Sequence, residues 1–487
     1  MFLFKIKDFY VLVFWCPIDT SDRADFLYLN FLLNLPKIYS LSMQKKLLLF
    51  GILVAFWACQ PNTDINSAKQ EKIDPATYWG ENPWPEIRKK RINQLLPTAL
   101  KNAGVDVWLV VCRENYNDPI ATHVGGENAS GTAAFLFYND ESGFHSLVFS
   151  PEGEATALDD LDIHEKVERV PRGESALAKA VDFIKSKGFQ KVAINTSSSN
   201  EMADGITHSQ YQELAGLMGT DEKKLISSDD LVYEWLSIKL PEEVEILTKA
   251  AKLASDFQHE AYAMIEPGKT TDADVAKFLK AKMAEYGVTD AWHPDQNPNV
   301  NSGPDRGHSH ATDKVIMPGD VIQTDFGVKL YGIWVSDIQR FAYVLKDGET
   351  AAPADIQQYW ENGKAGSRAA LGAMKPGVKG EDVDRAQRDL MDAAGSLYVP
   401  WSTGHPVGYV AHDVGPNLGG ARLPQPRPAA QKLLKEGMVF AFDGFHCWKQ
   451  PDGTEKTISV EEMAVVTADG ARYLITPQEE LILVGKK

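Results

Sequence analysis

Cysteine is scarce in this chain of 487 residues, basic residues are outnumbered, and its apolar leader-like run is short. The four cysteines, Cys16, Cys59, Cys112 and Cys447, stand in no Cys-x-x-Cys or Cys/His spacing, and they are too scattered for a disulfide framework. The formal net charge of −17 leaves no basic stripe for phosphate binding, so nucleic acid is excluded as a partner. With 44% apolar and 24% charged residues, most of the chain has the composition of a globular protein. The length is too great for one compact core, so two domains and an extra segment are expected.

The run Leu47 to Ala58 follows Met43-Gln-Lys-Lys and ends at Cys59. A bilayer span takes ~20 residues, so this run reads as a secretory signal and not as a membrane helix. A cysteine at its end resembles a bacterial lipoprotein signal, although Trp57 and Phe56 replace the smaller and aliphatic residues usual there. A signal belongs at a start, which makes Met43 the expected initiator and residues 1–42 an over-extended start. The protein is then expected to be exported, either periplasmic or a membrane-anchored lipoprotein facing outside the cytoplasm. Its only contact with a membrane would be a lipid on Cys59.

After a linker at 60–82, residues 83–237 read as a smaller α/β domain. A helix is expected over Ile92 to Ala103, and strands over Val105 to Val111, Ala133 to Tyr138, Ser146 to Phe149 and Lys191 to Asn195. Ala176 to Gly188 reads as a helix with a glycine stop. No His/Asp/Glu cluster occurs there. The second domain, 238–487, opens on a helix from Pro241. Val244, Leu247, Ala251, Ala254, Phe257, Ala261 and Met264 fall on one face of it, and Pro267-Gly268 is its expected stop.

That second domain repeats itself. Met264-Ile-Glu-Pro-Gly268 leads into a helix over Asp272 to Tyr286, and Met374-Lys-Pro-Gly377 into one over Glu381 to Ala394. Downstream, Pro318-Gly319 and Glu436-Gly437 each open an apolar strand with an aspartate six residues after the glycine, Asp325 and Asp443. A second acidic strand is expected after each, carrying Asp337 and Glu461. Two halves with paired strand carboxylates suggest a pseudo-two-fold domain with one site on its axis. Buried carboxylates need cations, and Arg340 could serve only one of them. Two divalent ions balance four carboxylates, and oxygen ligands with one imidazole suit Mn²⁺. The imidazole candidates are His405 and His412, seven apart in a glycine-rich frame, and His308-Ser-His310 before the first carboxylate strand.

Together these segments resemble the creatinase/aminopeptidase P family of metallopeptidases, the Xaa-Pro aminopeptidase and prolidase branch, over residues ~85–487. The resemblance implies an α/β (α+β) chain with a C-terminal pita-bread domain and a creatinase-like N-terminal domain. It implies two divalent ions, most simply Mn²⁺ with Zn²⁺ or Co²⁺ as alternatives, held by Asp325, Asp337, His405, Asp443 and Glu461. It makes His308 and His412 the non-ligand histidines at the substrate carbonyl, and it implies a peptide substrate and a homo-oligomer. Three positions depart from the family pattern. The Asp325 to Asp337 spacing is one residue longer, which a β-bulge would absorb. Asp443 replaces a glutamate, and Ser459 stands where an arginine is often found. The expected reaction is metal-assisted hydrolysis of an Xaa-Pro amide at a peptide N-terminus. The alternatives are a hydrolase or lyase of this fold acting on a small non-peptide substrate, and a binding protein with a vestigial site.

Overall fold

The computed structural model describes residues 2–6, 9–13, 31–32, 78–307, 309–425 and 427–485. The chain forms two units, Met1–Glu71 and Lys72–Lys487. In the first, the segments Phe2–Ile6, Phe9–Val13 and Phe31–Leu32 pair as an antiparallel sheet. The signal-like segment 43–59, with Cys59, lies outside the described residues. Among the described residues no helix is long and apolar enough to cross a membrane.

The second unit opens earlier than Pro83. Trp79, counted with the linker by sequence, donates its indole N–H to the Tyr286 carbonyl at 3.2 Å, and its own carbonyl accepts from Tyr331. The helix expected from Ile92 starts at Trp84. It runs as α1 (Trp84–Lys90), a wide π-helical turn over Arg91–Leu95, and α2 (Leu96–Ala103). The wide turn precedes Pro97, which lacks the N–H that would continue the regular ladder and whose ring crowds the previous turn.

Six strands follow: β1 (Val107–Cys112), β2 (Ala133–Asp140), β3 (Gly143–Pro151), β4 (Lys166–Val170), β5 (Val192–Ile194) and β6 (Leu225–Ser227). They form one mixed sheet in the order β4-β3-β2-β1-β5-β6. Alternation along β1 divides its side chains between two cores. Val107, Leu109 and Val111 pack under α3 (Ala176–Lys187). Trp108, Val110 and Cys112 join an apolar cluster that continues through Trp235, Leu247, Phe257, Trp334 and Phe440. The two domains anticipated from sequence, 83–237 and 238–487, therefore share one core.

Helix α4 (Pro241–Ala263) has proline in its first turn, and the Glu243 carboxylate accepts the Leu240 N–H at 2.9 Å. Its buried face is the expected one up to Ala261. Met264 lies past the helix end and is 37% exposed, because the helix stops at Ala263, four residues before Pro267. Glu243 is also fully buried against Arg91, at 2.6 Å. Removing one member of such a pair strands a charge in the interior. Glu243→Ala is therefore expected to lose about 3–5 kcal/mol of stability, read by urea unfolding; a loss below about 1 kcal/mol would contradict this account.

The sequence repeat is a structural one. Helix α5 (Asp272–Tyr286) precedes the sheet β7 (Asn299–Ser302), β8 (Val321–Phe326), β11 (Ile338–Val344) and β16 (Ile482–Val484), paired in that order. Between β8 and β11 a hairpin extension carries β9 (Val328–Leu330) and β10 (Trp334–Val335). Helices α6 (Ala354–Ala373) and α7 (Gly380–Ala393) precede the sheet β12 (Gly404–Pro406), β13 (Val439–Lys449), β14 (Glu455–Val466) and β15 (Ala471–Tyr473). Each repeat thus places its first aspartate, Asp325 or Asp443, on an inner strand.

The longer spacing between Asp325 and Asp337 is not absorbed by a bulge. Phe326 pairs with Ile338 and Lys329 with Val335, which is the same register on both sides of Asp337. The hairpin closes instead through Tyr331, Gly332 and Ile333, with Tyr331 and Gly332 in the left-handed region. Asp337, expected on a strand, lies instead between β10 and β11, where its N–H donates to the Met463 sulfur and not to a neighbouring strand's backbone.

Candidate metal centre

Three of the four acidic side chains at the centre, Asp325, Asp443 and Glu461, are aimed by their strands. Asp443 and Glu461 are directly opposite one another on β13 and β14, so both project to the same face. Helix α6 crosses close beside Asp443, because Gly444 has no side chain there. A Cβ at Gly444 would lie 1.9 Å from the Gly363 carbonyl oxygen. Asp325 sits within β8, between Asn299 on β7 and Gln339 on β11. His405 is on β12, opposite Ala441 of β13.

Ligand-type atoms of Asp337, His405 and Glu461 lie within 4.8 Å of one another, with His405 Nε2 3.6 Å from Asp337 Oδ2. Asp325, Asp337, Asp443 and Glu461 are all buried. Burial, then the charges of Asp325 and Asp443, hold the Asp337 carboxyl well above the usual range. Burial, then the charges of Asp337, Asp443 and Asp325, do the same to Glu461. The Glu461 Oε2 atom is buried without a hydrogen-bond partner among the described residues. Four buried carboxylates, two of them with raised proton affinity, an imidazole and an unsatisfied buried oxygen suit divalent cations, which would neutralise the repulsion.

The arginine that sequence offered as a counter-ion is committed elsewhere. Arg340 pairs with Glu462 at 3.1 Å and donates to the Glu461 carbonyl at 3.0 Å. Successive strand residues face opposite ways, so Glu461 enters the centre while Glu462 meets Arg340 behind it. Two further partners were not evident in sequence. The Ser459 hydroxyl donates to Asp443 Oδ1 at 2.6 Å, and the Asp337 N–H donates to the Met463 sulfur at 3.4 Å. Ser459 precedes Glu461 by two, so it shares a strand face with that acid; this was the one signal available for it.

His412 is exposed and its ring meets that of His405 edge-on, with centroids 4.3 Å apart. His308 lies outside the described residues. Its neighbour His310 is exposed, on a loop tied down by Asp305 to Lys456 at 2.8 Å and by Arg306 to Asp272 at 2.7 Å. A groove of about 600 Å³ beside Tyr138, His145, Phe149 and Phe183 lies on the N-terminal sheet and includes none of these residues.

The raised carboxyls set a pH dependence. A folded carboxyl held above its unfolded value contributes stability that is complete below that value and is lost as pH rises through the folded one. The unfolded values are near 3.8 for Asp337 and 4.5 for Glu461. With divalent cations chelated, the parent is therefore expected to lose thermal stability from about pH 4 upward, relative to an Asp337→Asn, Glu461→Gln double variant. Melting temperatures of both proteins against pH check this; a constant difference between them would refute it.

Such a centre on a two-fold repeated α+β domain defines a metal-dependent hydrolase of the pita-bread fold. Residues 245–468 match the model of metallopeptidase family M24. It is similar to the Xaa-Pro dipeptidase of Pyrococcus furiosus, at 26% identity over 322 residues, covering 64% of this chain and 85% of the relative. It is 25% identical over 319 residues to the peptidase YqhT of Bacillus subtilis, covering 65% and 82%. In fold it resembles dipeptidase PepE of Mycobacterium ulcerans, with a TM-score of 0.62 at 22% identity, covering 82% of this chain and 98% of that one. An Xaa-Pro dipeptidase from Bacillus anthracis also gives 0.62, at 20% identity, covering 82% and 100%.

Proposed function

We propose that this metallopeptidase hydrolyses the Xaa-Pro amide bond at the N-terminus of peptides, with Asp325, Asp337, His405, Asp443 and Glu461 holding two divalent cations. The observation that carries the reading is the convergence of Asp337, His405 and Glu461 among mutually repelling buried acids, in a segment that matches family M24. The Xaa-Pro dipeptidase among its relatives supports the substrate class. The ligand set favours Mn²⁺, with Zn²⁺ or Co²⁺ as alternatives.

A bound cation pair supplies an activated water and polarises the carbonyl under attack. The protein's own groups do the rest. His412, beside His405 at the exposed edge of the centre, donates to the substrate carbonyl oxygen as charge develops there. His308 is proposed to share that task. A carboxylate of the site, Asp443 or Glu461, takes a proton from the attacking water and passes it to the leaving nitrogen. Ser459 holds the shorter Asp443 side chain in place from the neighbouring strand.

That serine–aspartate pair also favours a second reading, a small non-peptide amide as substrate, because it alters the ligand frame of the usual peptidase. A panel of Xaa-Pro peptides against proline-free controls separates the two. The expected result with Mn²⁺-loaded protein is turnover of Xaa-Pro peptides only; no turnover of any proline peptide would reject the first reading. Export guided by residues 43–59, lipidation at Cys59 and assembly as a homo-oligomer belong to the same proposal. N-terminal sequencing of the mature protein tests the first two, and a mature chain that keeps residues 1–42 would reject them.

A further inference from the structure

Behind His412 lies a set of buried charges that the hydrolytic reading leaves unused. His412 sits in a turn that the next residue closes. Asp413 Oδ2 accepts the Tyr409 N–H at 2.9 Å and Oδ1 accepts the Val414 N–H at 2.7 Å, while the Asp413 N–H donates to the Pro406 carbonyl at 3.0 Å. The Asp413 side chain is wholly buried and pairs with Lys239 Nζ at 3.1 Å. The Lys239 side chain is 1% exposed, donates to the Leu236 carbonyl at 2.6 Å, and places Nζ 4.6 Å from the centre of the Tyr409 ring. Its stem fills the space under Gly408, where a Cβ would come within 2.2 Å of Lys239 Cε. The Tyr409 hydroxyl donates to Glu243 Oε1 at 2.6 Å, and Glu243 is the partner of Arg91. His123 and Trp84 complete the packing round the Tyr409 ring.

The two histidines are thus held differently. His405 belongs to a strand paired with β13, whereas His412 rides on a turn closed by Asp413 and backed by Lys239. Burial pulls the Lys239 ammonium below its usual range, and Asp413 opposes that pull. Breaking the pair would leave a buried carboxylate that closes the turn without its counter-charge.

We propose that Lys239 and Tyr409 are positioning residues for the reaction. Together with Asp413 they fix the turn that presents His412 beside His405, so that groups from the N-terminal half, through Arg91 and Glu243, set the geometry of the centre. The inference rests on the role given to His412 under the proposed function. A misplacement of about 1 Å costs up to about 10²-fold in rate, so loss of the buried charge should appear in kcat while the strand-borne ligands keep their cations.

The test uses the full-length, Mn²⁺-loaded protein and an Xaa-Pro dipeptide. Lys239→Met is expected to keep its metal content and a KM within about twofold of the parent, while kcat falls about 10–100-fold. Its His412 imidazole NMR signal, read on the diamagnetic Zn²⁺-loaded protein because Mn²⁺ would broaden it away, and assigned by its disappearance in His412→Ala, should shift or broaden. A Lys239→Met, His412→Ala double variant should be no slower than His412→Ala alone. Parental kcat and an unmoved His412 signal in folded Lys239→Met would overturn the inference. Should Lys239→Met fail to fold, Tyr409→Phe decides, since it keeps the ring and removes only the hydroxyl. A several-fold loss of kcat with a shifted His412 signal supports the inference, and parental values overturn it. Parental kcat in His412→Ala would instead sink the catalytic role of His412, and the His412 signal in Lys239→Met would still decide the positioning.

Discussion

Alanine at Asp337 or at Glu461 is expected to abolish bound divalent metal and turnover together. Both acids stand at the point where the two repeats meet, and both are surrounded by the charges of Asp325 and Asp443. Loss of an outer hydrogen-bond partner of a metal ligand costs about 10–100-fold in affinity, and loss of the ligand itself should exceed that. The chelated proteins should behave in the opposite sense. Removing one carboxylate relieves repulsion, so metal-free Asp337→Ala should melt no lower than the metal-free parent, yet gain nothing from added Mn²⁺. Elemental analysis, calorimetric titration and melting curves with and without Mn²⁺ check all three. Retention of two ions per chain by Asp337→Ala would refute its placement in the centre. A residue that only held the fold together would instead show lower stability whether or not metal is present.

The second large effect concerns a residue outside the cluster of ligands. His412→Ala should bind metal like the parent and lose about 10²–10⁴-fold in kcat, the range for a group that assists proton transfer or charge development in the transition state. The ring is exposed and contributes to no hydrophobic core, so folding should be unaffected. Its edge-on contact with His405 places it beside the ligands. Steady-state kinetics with metal content measured on the same preparation separates the two histidines: His405→Ala should lose metal, and His412→Ala should not. Intact turnover in His412→Ala would remove it from the mechanism.

Much of the second domain was legible in the order of residues. The spacing of Val244, Leu247, Ala251 and Phe257 predicts one buried helical face, and these residues are buried. The helix expected over Asp272 to Tyr286 has those ends, because Thr271 caps it and Gly287 turns the chain left-handed after it. The repeat of Pro-Gly, helix and acidic strand was visible because each half builds its sheet from local periodicity. The wide turn before Pro97 was missed, since its cause lies in the ladder and not in periodicity.

The chemistry of the centre divides along the same line. Sequence by itself determined the donor types, the apolar strands around Asp325 and Asp443, and the charge imbalance that calls for cations, because these are properties of neighbouring residues. Only the tertiary structure decided which acid faces which. Glu461 and Glu462 are adjacent and chemically identical, yet one enters the centre and the other meets Arg340, because side chains alternate across a strand and the pairing of β13 with β14 selects the face. Likewise Ser459 beside Asp443, and Lys239 beneath the His412 turn, are contacts across 16 and 174 residues. A one-residue slip between β13 and β14 would turn Glu461 out of the centre, and the buried faces of both strands prevent that slip.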